Sequence, residues 1–115
     1  MRFACAQLGK PYVWGGNGEV GFDCSGLTHA AYAAAGIDIP RTAQTQYDAG
    51  PLLPAGSTLQ PGDLMFFGTA GRIHHVGISL GGTLMVNAPD FGQNVKTQDL
   101  RDFTDYAGAS RPGAG

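Results

Sequence analysis

The chain has 115 residues, of which 43% are hydrophobic and 14% charged, and seven Lys and Arg against nine Asp and Glu give a net charge of -2. This composition fills the core of one domain and excludes a disordered chain. The slightly acidic balance disfavours a nucleic-acid binder. The apolar runs are far shorter than the roughly 20 residues that cross a bilayer, so we expect no membrane partner.

The first half of the sequence predicts helices. Apolar residues over 2–9 suit a short helix that ends at Gly9, and residues 12–14 can extend before the glycine-rich loop 15–18. Apolar residues at three- and four-residue spacing predict a second helix over 24–35, with Gly36 as its stop. A third, weaker helix is predicted over 42–49.

After Pro61 the pattern changes to short apolar or β-branched runs bounded by Gly, Asp and Asn. These runs predict strands over residues 63–67, 76–80, 83–86 and 94–97. Helices followed by strands indicate an α+β domain with a meandering antiparallel sheet. Phe66 and Phe67 on the first strand are predicted core residues.

The two cysteines are too few for a disulfide framework. Cys5 lies in an apolar segment and is predicted to be a small core residue. No signal peptide is evident at the start of the chain, which ends in Arg-Pro-Gly-Ala-Gly. We therefore expect residues 1–115 to be a single domain excised from a longer protein.

Cys24 is the candidate nucleophile. It stands at the start of the predicted second helix, where unpaired backbone N–H groups and the helix dipole favour the thiolate and lower its pKa. The same N–H groups can stabilise an oxyanion. By position alone, a buried structural cysteine near a helix cap is an equally good interpretation.

Three histidines are candidates for the base that such a nucleophile requires. His29 lies about one and a half turns along the predicted helix, so its side chain points away from Cys24. Strand alternation places His75 on a face with small residues, which leaves room for a cleft. His74 is predicted on the opposite face or in the preceding loop.

Asn87, on the next predicted strand, is the candidate partner that orients the imidazole. A two-residue turn, Gly81-Gly82, would place Asn87 opposite Val76. A three-residue loop that starts at Leu80 places Asn87 opposite His75 instead. We predict the second register because glycine at the last loop position suits a left-handed conformation. By itself, Asn87 is also typical of a turn before a proline.

Five motifs together carry a resemblance to a known family. In chain order they are Pro11–Gly16 (PYVWGG), Asp23–Leu27 (DCSGL), Pro61–Leu64 (PGDL), His75–Ile78 (HVGI) and Met85–Pro89 (MVNAP). Their order over residues 3 to 106 resembles the NlpC/P60 family of papain-like cysteine peptidases, in particular the cell-wall endopeptidases of mycobacteria and other actinobacteria.

This resemblance implies Cys24 as the nucleophile, His75 as the base and Asn87 as the residue that orients the imidazole, with no metal or organic cofactor. The tyrosine that matches Tyr12 would help to stabilise the oxyanion. Many relatives carry His or Glu at position 87. A neutral asparagine fixes a hydrogen bond but adds no charge, which puts the level of activity in question.

The resemblance also implies substrate-binding residues. Residues that match Asp23 and Ser25 help to hold the substrate peptide, the carboxylate sometimes facing a free amine, although Asp23 is equally suited to be a helix N-cap. Arg41 either lines the groove or is structural. Trp14 is expected near the cleft, as a core anchor or a groove residue.

The implied fold is papain-like, with helices packed on an antiparallel sheet and the nucleophile at a helix N-terminus. The implied substrate is the stem peptide of peptidoglycan, cut between D-glutamate and the diamino acid. We expect a monomer that is secreted or associated with the cell envelope. A catalytically silent peptidoglycan-binding module, and an amidase or acyltransferase on the same scaffold, remain alternatives. A purely structural domain would not explain Cys, His and Asn in this order.

Two other site classes are disfavoured by the sequence. No glycine run follows a strand in phosphate-loop order, which argues against nucleotide binding. The trio Asp99, Asp102 and Asp105 has no His or Cys beside it and is predicted to be solvated surface, not a metal site.

Overall fold

The computed structural model describes residues 2–13, 15–16, 21–89 and 93–112. Within these ranges the helices come first, α1 (Arg2–Ala6), α2 (Cys24–Ala34) and α3 (Ala43–Ala49). The strands follow as β1 (Leu64–Thr69), β2 (Arg72–Gly81), β3 (Leu84–Asn87), β4 (Lys96–Asp99) and β5 (Tyr106–Ser110), with a 3-10 helix, Leu100–Asp102, before β5. The predicted α+β class is confirmed.

The strands of the described ranges form one antiparallel sheet in the order β4-β3-β2-β1-β5. Strands β1 to β4 are the predicted meander. Strand β5 was not predicted, because its sequence, YAGAS, is rich in small residues that have low strand propensity. It is held by pairing with β1, a contact that local sequence does not encode.

The sheet buries residues on both faces. The helices cover one face, where the buried side chains include Leu64, Phe66, Val76, Ile78 and Val86. On the other face a smaller cluster is formed by Met65, Phe67 and Met85, against which Leu59, Leu100 and Phe103 pack. Phe66 and Phe67 have no exposed surface, so their prediction as core residues is confirmed.

The N-terminal helix is shorter than predicted, and the prediction for Cys5 is wrong. Ala4 is fully buried, and the ring of Phe3 packs edge-on against Phe22 with 6.3 Å between centroids. Cys5 follows one residue later, about 100° further around the helix, and is exposed. An apolar neighbourhood in sequence therefore did not make it a core residue.

The predicted register of β2 and β3 is also wrong. Ser79 pairs with Met85, and the register shifts between Ser79 and Gly81 at an irregularity. The left-handed conformation of both turn glycines, with φ 103° at Gly81 and 59° at Gly82, accommodates this extra residue. When the observed pairing is continued along both strands, Asn87 lies opposite Gly77. His75 is two residues before Gly77 on the same face of the sheet, so Asn87 is its diagonal neighbour.

An ion pair ties the start of β1 to the end of β5. Arg111 donates from Nε and Nη2 to the two carboxylate oxygens of Asp63, at 2.7 and 2.9 Å, and the backbone N–H of Gln60 donates to the same carboxylate at 2.8 Å. Burial raises the pKa of the Asp63 carboxyl, but the hydrogen bonds from Arg111 and Gln60 outweigh it and hold the pKa below its usual value.

Replacing Asp63 by asparagine is expected to lower the free energy of unfolding by about 2 kcal/mol at pH 7, because the buried carboxylate and the charge-assisted hydrogen bonds that it accepts are lost. A depressed folded-state pKa contributes stability that is complete above the unfolded value of about 3.9 and is lost as the pH falls through the folded value. The difference between wild type and Asp63→Asn should therefore shrink below about pH 4.

Urea unfolding between pH 3 and 7 measures this difference. Asp38→Asn, at an exposed loop carboxylate, is the matched control and should track the wild type. A constant difference between wild type and Asp63→Asn down to pH 3 would contradict the role given to the ion pair.

Candidate active site

Asp23 caps the N-terminus of α2 and so positions Cys24, the first residue of the helix. Its Oδ1 accepts from the backbone N–H of Gly26 at 2.6 Å, and its Oδ2 accepts from the N–H of Gly15 at 3.1 Å. A Cβ at Gly26 would lie 1.9 Å from the carbonyl oxygen of Gly16, so only glycine allows this close approach. The N-cap interpretation of Asp23 is confirmed.

Arg41 links the capped helix to the segment before α3. Its Nη1 donates to Asp23 Oδ1 at 3.1 Å and to Ser25 Oγ at 2.9 Å, and its Nη2 donates to the carbonyl of Gly16 at 3.2 Å. The guanidinium therefore fixes Asp23 and Ser25, the two residues for which the resemblance implies contact with the substrate peptide.

Asn87 holds the imidazole of His75. The distance between His75 Nε2 and Asn87 Oδ1 is 2.8 Å, and Asn87 Nδ2 donates to the carbonyl of Lys96 at 3.2 Å. Because the Lys96 carbonyl fixes which way the amide faces, Oδ1 points to His75 and Nε2 must carry the proton. This tautomer makes Nδ1 the basic nitrogen.

The hydrogen bond forms although the predicted register is wrong, because Asn87 reaches His75 diagonally across Gly77. A Cβ at Gly77 would lie 3.3 Å from the Asn87 Cβ and 2.5 Å from the Met85 sulfur. The missing side chain at Gly77 therefore leaves room for the amide.

Two aromatic rings enclose the imidazole. Phe103 stacks on His75 with 6.0 Å between centroids and 17° between planes, and Phe67 lies 5.7 Å away. His75 is only 6% exposed. These contacts fix the plane of the ring. Phe103, in the segment before β5, carried no recognisable signal in the sequence.

Cys24 and His75 line one cavity of about 450 Å³. The rest of its lining is Tyr12, His74, Pro89, Gln93, Gln98 and Phe103. A neighbouring cavity of about 510 Å³ shares Tyr12, Cys24 and His74 with the first and also contains Asp23, Ser25 and Arg41. Cys24 thus lies where the two halves of a groove meet. Trp14 is outside the described residues.

The pKa of the Cys24 thiol differs from the prediction. Burial raises the pKa of Cys24 above its usual value, and the charge of Asp23 adds to this effect. The backbone N–H groups of Val76, Ser25 and Cys24 act in the opposite direction but do not outweigh burial. The predicted lowering by the helix N-terminus is present but is the smaller effect, so a thiolate here requires a neighbouring base.

His74 and Asp105 form a pair at the rim. His74 Nε2 lies 2.6 Å from Asp105 Oδ2, and both side chains are substantially exposed. The prediction of Asp105 as simple solvated surface missed this contact, as it missed the pairing of Asp99 with Arg101. Among the residues that the structure describes, no group of three His, Cys, Asp or Glu side chains is arranged to hold a metal ion.

The family model for the NlpC/P60 family matches residues 9–107. The chain belongs to the NlpC/P60 family. This confirms the resemblance carried by the five motifs, and with it the papain-like α+β fold of helices on a five-stranded antiparallel sheet.

Similar proteins include the probable endopeptidase p60 of Listeria seeligeri, 51% identical over 75% of this chain and 16% of its own length. The gamma-D-glutamyl-L-lysine dipeptidyl-peptidase of Bacillus subtilis is 41% identical over 83% of this chain and 33% of its own. The crystallised peptidoglycan hydrolase RipB of Mycobacterium tuberculosis superimposes with a TM-score of 0.84 at 35% identity, covering 96% of this chain and 61% of that one. The chain spans a third or less of these two curated relatives.

The raised pKa of Cys24 gives a test of His75. A buried thiol stays protonated near neutral pH unless a base takes its proton, so His75→Ala is expected to slow alkylation of Cys24 by iodoacetamide at pH 6 by at least about tenfold. Reactivity in the variant should return only as the pH rises through the raised pKa of the thiol.

Exposed Cys5 is the internal control, and peptide mass spectrometry after a brief exposure distinguishes the two cysteines. In the wild type Cys24 should react faster than Cys5, and in His75→Ala more slowly. Equal rates in the wild type, or no effect of His75→Ala, would contradict a base acting on Cys24.

Proposed function

We propose that the chain is a peptidoglycan endopeptidase that hydrolyses an amide bond of the stem peptide through Cys24, His75 and Asn87. The observation that carries this proposal is the buried hydrogen bond from His75 to Asn87, which makes Nδ1 basic in the cavity that Cys24 lines. Family membership supplies the class of substrate.

In the proposed reaction His75 Nδ1 accepts the thiol proton as the Cys24 sulfur attacks the substrate carbonyl. The oxyanion receives hydrogen bonds from the backbone N–H of Cys24 and from the Tyr12 hydroxyl. His75 then donates the proton to the leaving nitrogen as the C–N bond breaks. A water molecule, deprotonated by His75, attacks the thioester, and its proton returns to the sulfur when the acid is released.

We propose that the bond cut lies between D-glutamate and the diamino acid. The name of the Bacillus subtilis relative specifies a γ-D-glutamyl bond, which supports this choice. Ser25, Asp23 and Arg41 lie on one side of Cys24 and are the proposed contacts for the peptide before the cut bond. Trp14 stays a predicted groove residue.

The proposed setting is the cell envelope or the outside of the cell, with the enzyme acting as a monomer. None of the described helices combines the length and apolar character of a membrane span. One relative is named a peptidoglycan hydrolase and another is named for a γ-D-glutamyl-L-lysine bond, which supports a substrate in the envelope.

Mass spectrometry of a muropeptide containing L-Ala-γ-D-Glu-diaminopimelate tests the proposal. The wild type is expected to cleave it after D-Glu, and Cys24→Ala is expected to lose cleavage, since the nucleophile is gone. Cys5→Ala, which removes the other cysteine, should cleave like the wild type. Cleavage elsewhere would contradict the bond, and binding without cleavage would indicate a silent binding module.

A further inference from the structure

Gln98 lines the cavity of Cys24 and His75, and no role for it follows from the reaction described above. It lies on edge strand β4 and pairs with Met85, so its side chain is on the same face of the sheet as Met85. Its Oε1 is buried and has no hydrogen-bond partner in the described part of the chain. A buried acceptor without a donor costs free energy, and because Gln98 lines the cavity, a rotation of its side chain that turns Oε1 toward a substrate donor would recover that cost.

The position of His75 determines which part of the substrate meets Gln98. His75 must protonate the leaving nitrogen, so that nitrogen lies within hydrogen-bonding distance of the imidazole. The residue that follows the cut bond therefore occupies the half of the groove lined by His75 and Gln98. The residues before the cut bond occupy the half lined by Asp23 and Arg41.

Among the residues that the structure describes, those that line the leaving-side half are uncharged apart from the histidines. Tyr12, Pro89, Gln93 and Phe103 carry no charge at neutral pH, and the Nε2 of His74 is engaged by Asp105 at 2.6 Å. No Lys or Arg of the described ranges contributes to this cavity. Among the described residues, a free carboxylate on the leaving residue would find no Lys or Arg in this half to offset its desolvation.

We propose that Gln98 is a specificity-determining residue that accepts a hydrogen bond from an N–H of the leaving residue. The groove then selects a diamino acid whose side-chain carboxyl is amidated over one whose carboxyl is free. A carboxamide supplies the donor that Oε1 lacks, whereas a carboxylate brings only acceptors and a charge. This inference rests on the proposed endopeptidase function.

Two muropeptides that differ only in this group, carboxamide or carboxylate, test the inference through kcat/KM. The wild type is expected to prefer the amidated peptide by about threefold to tenfold, the range that one neutral hydrogen bond supplies. Gln98→Met, of similar size but without the acceptor, should abolish the preference. Gln98→Glu should widen it, because its charge repels the free carboxylate.

Thr97→Val is the matched control, since Thr97 lies next to Gln98 on β4, is exposed and points to the other face. It should keep the wild-type preference. If Gln98→Met lowers kcat/KM equally for both peptides, Gln98 is only structural and the inference is overturned. A wild type that prefers the free carboxylate overturns it as well.

Isothermal titration separates failure of this inference from failure of the proposed function. In the Cys24→Ala background, Gln98→Met should remove the difference in Kd between the two peptides. If the wild type cleaves both peptides but this Kd difference persists in the variant, the function stands and the inference fails. If the wild type cleaves neither peptide, the proposed function fails and the inference fails with it.

Discussion

The candidate site depends on one side-chain amide. Asn87 accepts from His75 Nε2 and donates to the Lys96 carbonyl, so it transfers the fixed geometry of strands β3 and β4 to the imidazole on β2. Without that acceptor, either ring nitrogen would be free to carry the proton. Because the amide is uncharged, it sets the orientation and tautomer of His75 without adding charge to stabilise an imidazolium.

The fold brings Cys24 to His75 by placing the start of α2 against β2. Strand β3 ends at Asn87, and the backbone N–H of Val76 on β2 is one of the groups that lower the pKa of the Cys24 thiol. The packing that brings the Cys24 sulfur against β2 also buries it, and this burial raises the pKa of the thiol. The helix N-terminus alone is therefore not sufficient to form the thiolate, and a base is required, which is the role proposed for His75.

Much of this arrangement could be predicted from the sequence, because the motifs around Cys24, His75 and Asn87 are local. The predictions that failed concern features that depend on long-range contacts. Strand β5 exists through its pairing with β1, and the β2–β3 register is set by an irregularity at Gly81. The outcome at Asn87 is instructive: the register was wrong, yet the contact formed because Gly77 has no side chain to block the diagonal.

The central claim is that Asn87 fixes the tautomer of His75, and ring-nitrogen NMR tests it most directly. The measurement uses Cys24→Ala protein with ¹⁵N-labelled histidine, because without the thiol no proton passes between the sulfur and the ring. The spectrum is recorded at a pH where the ring is neutral. We predict that His75 is the Nε2–H tautomer and that adding Asn87→Ala yields a mixture of tautomers. A His75 ring that carries its proton on Nδ1 while Asn87 is present would contradict the account.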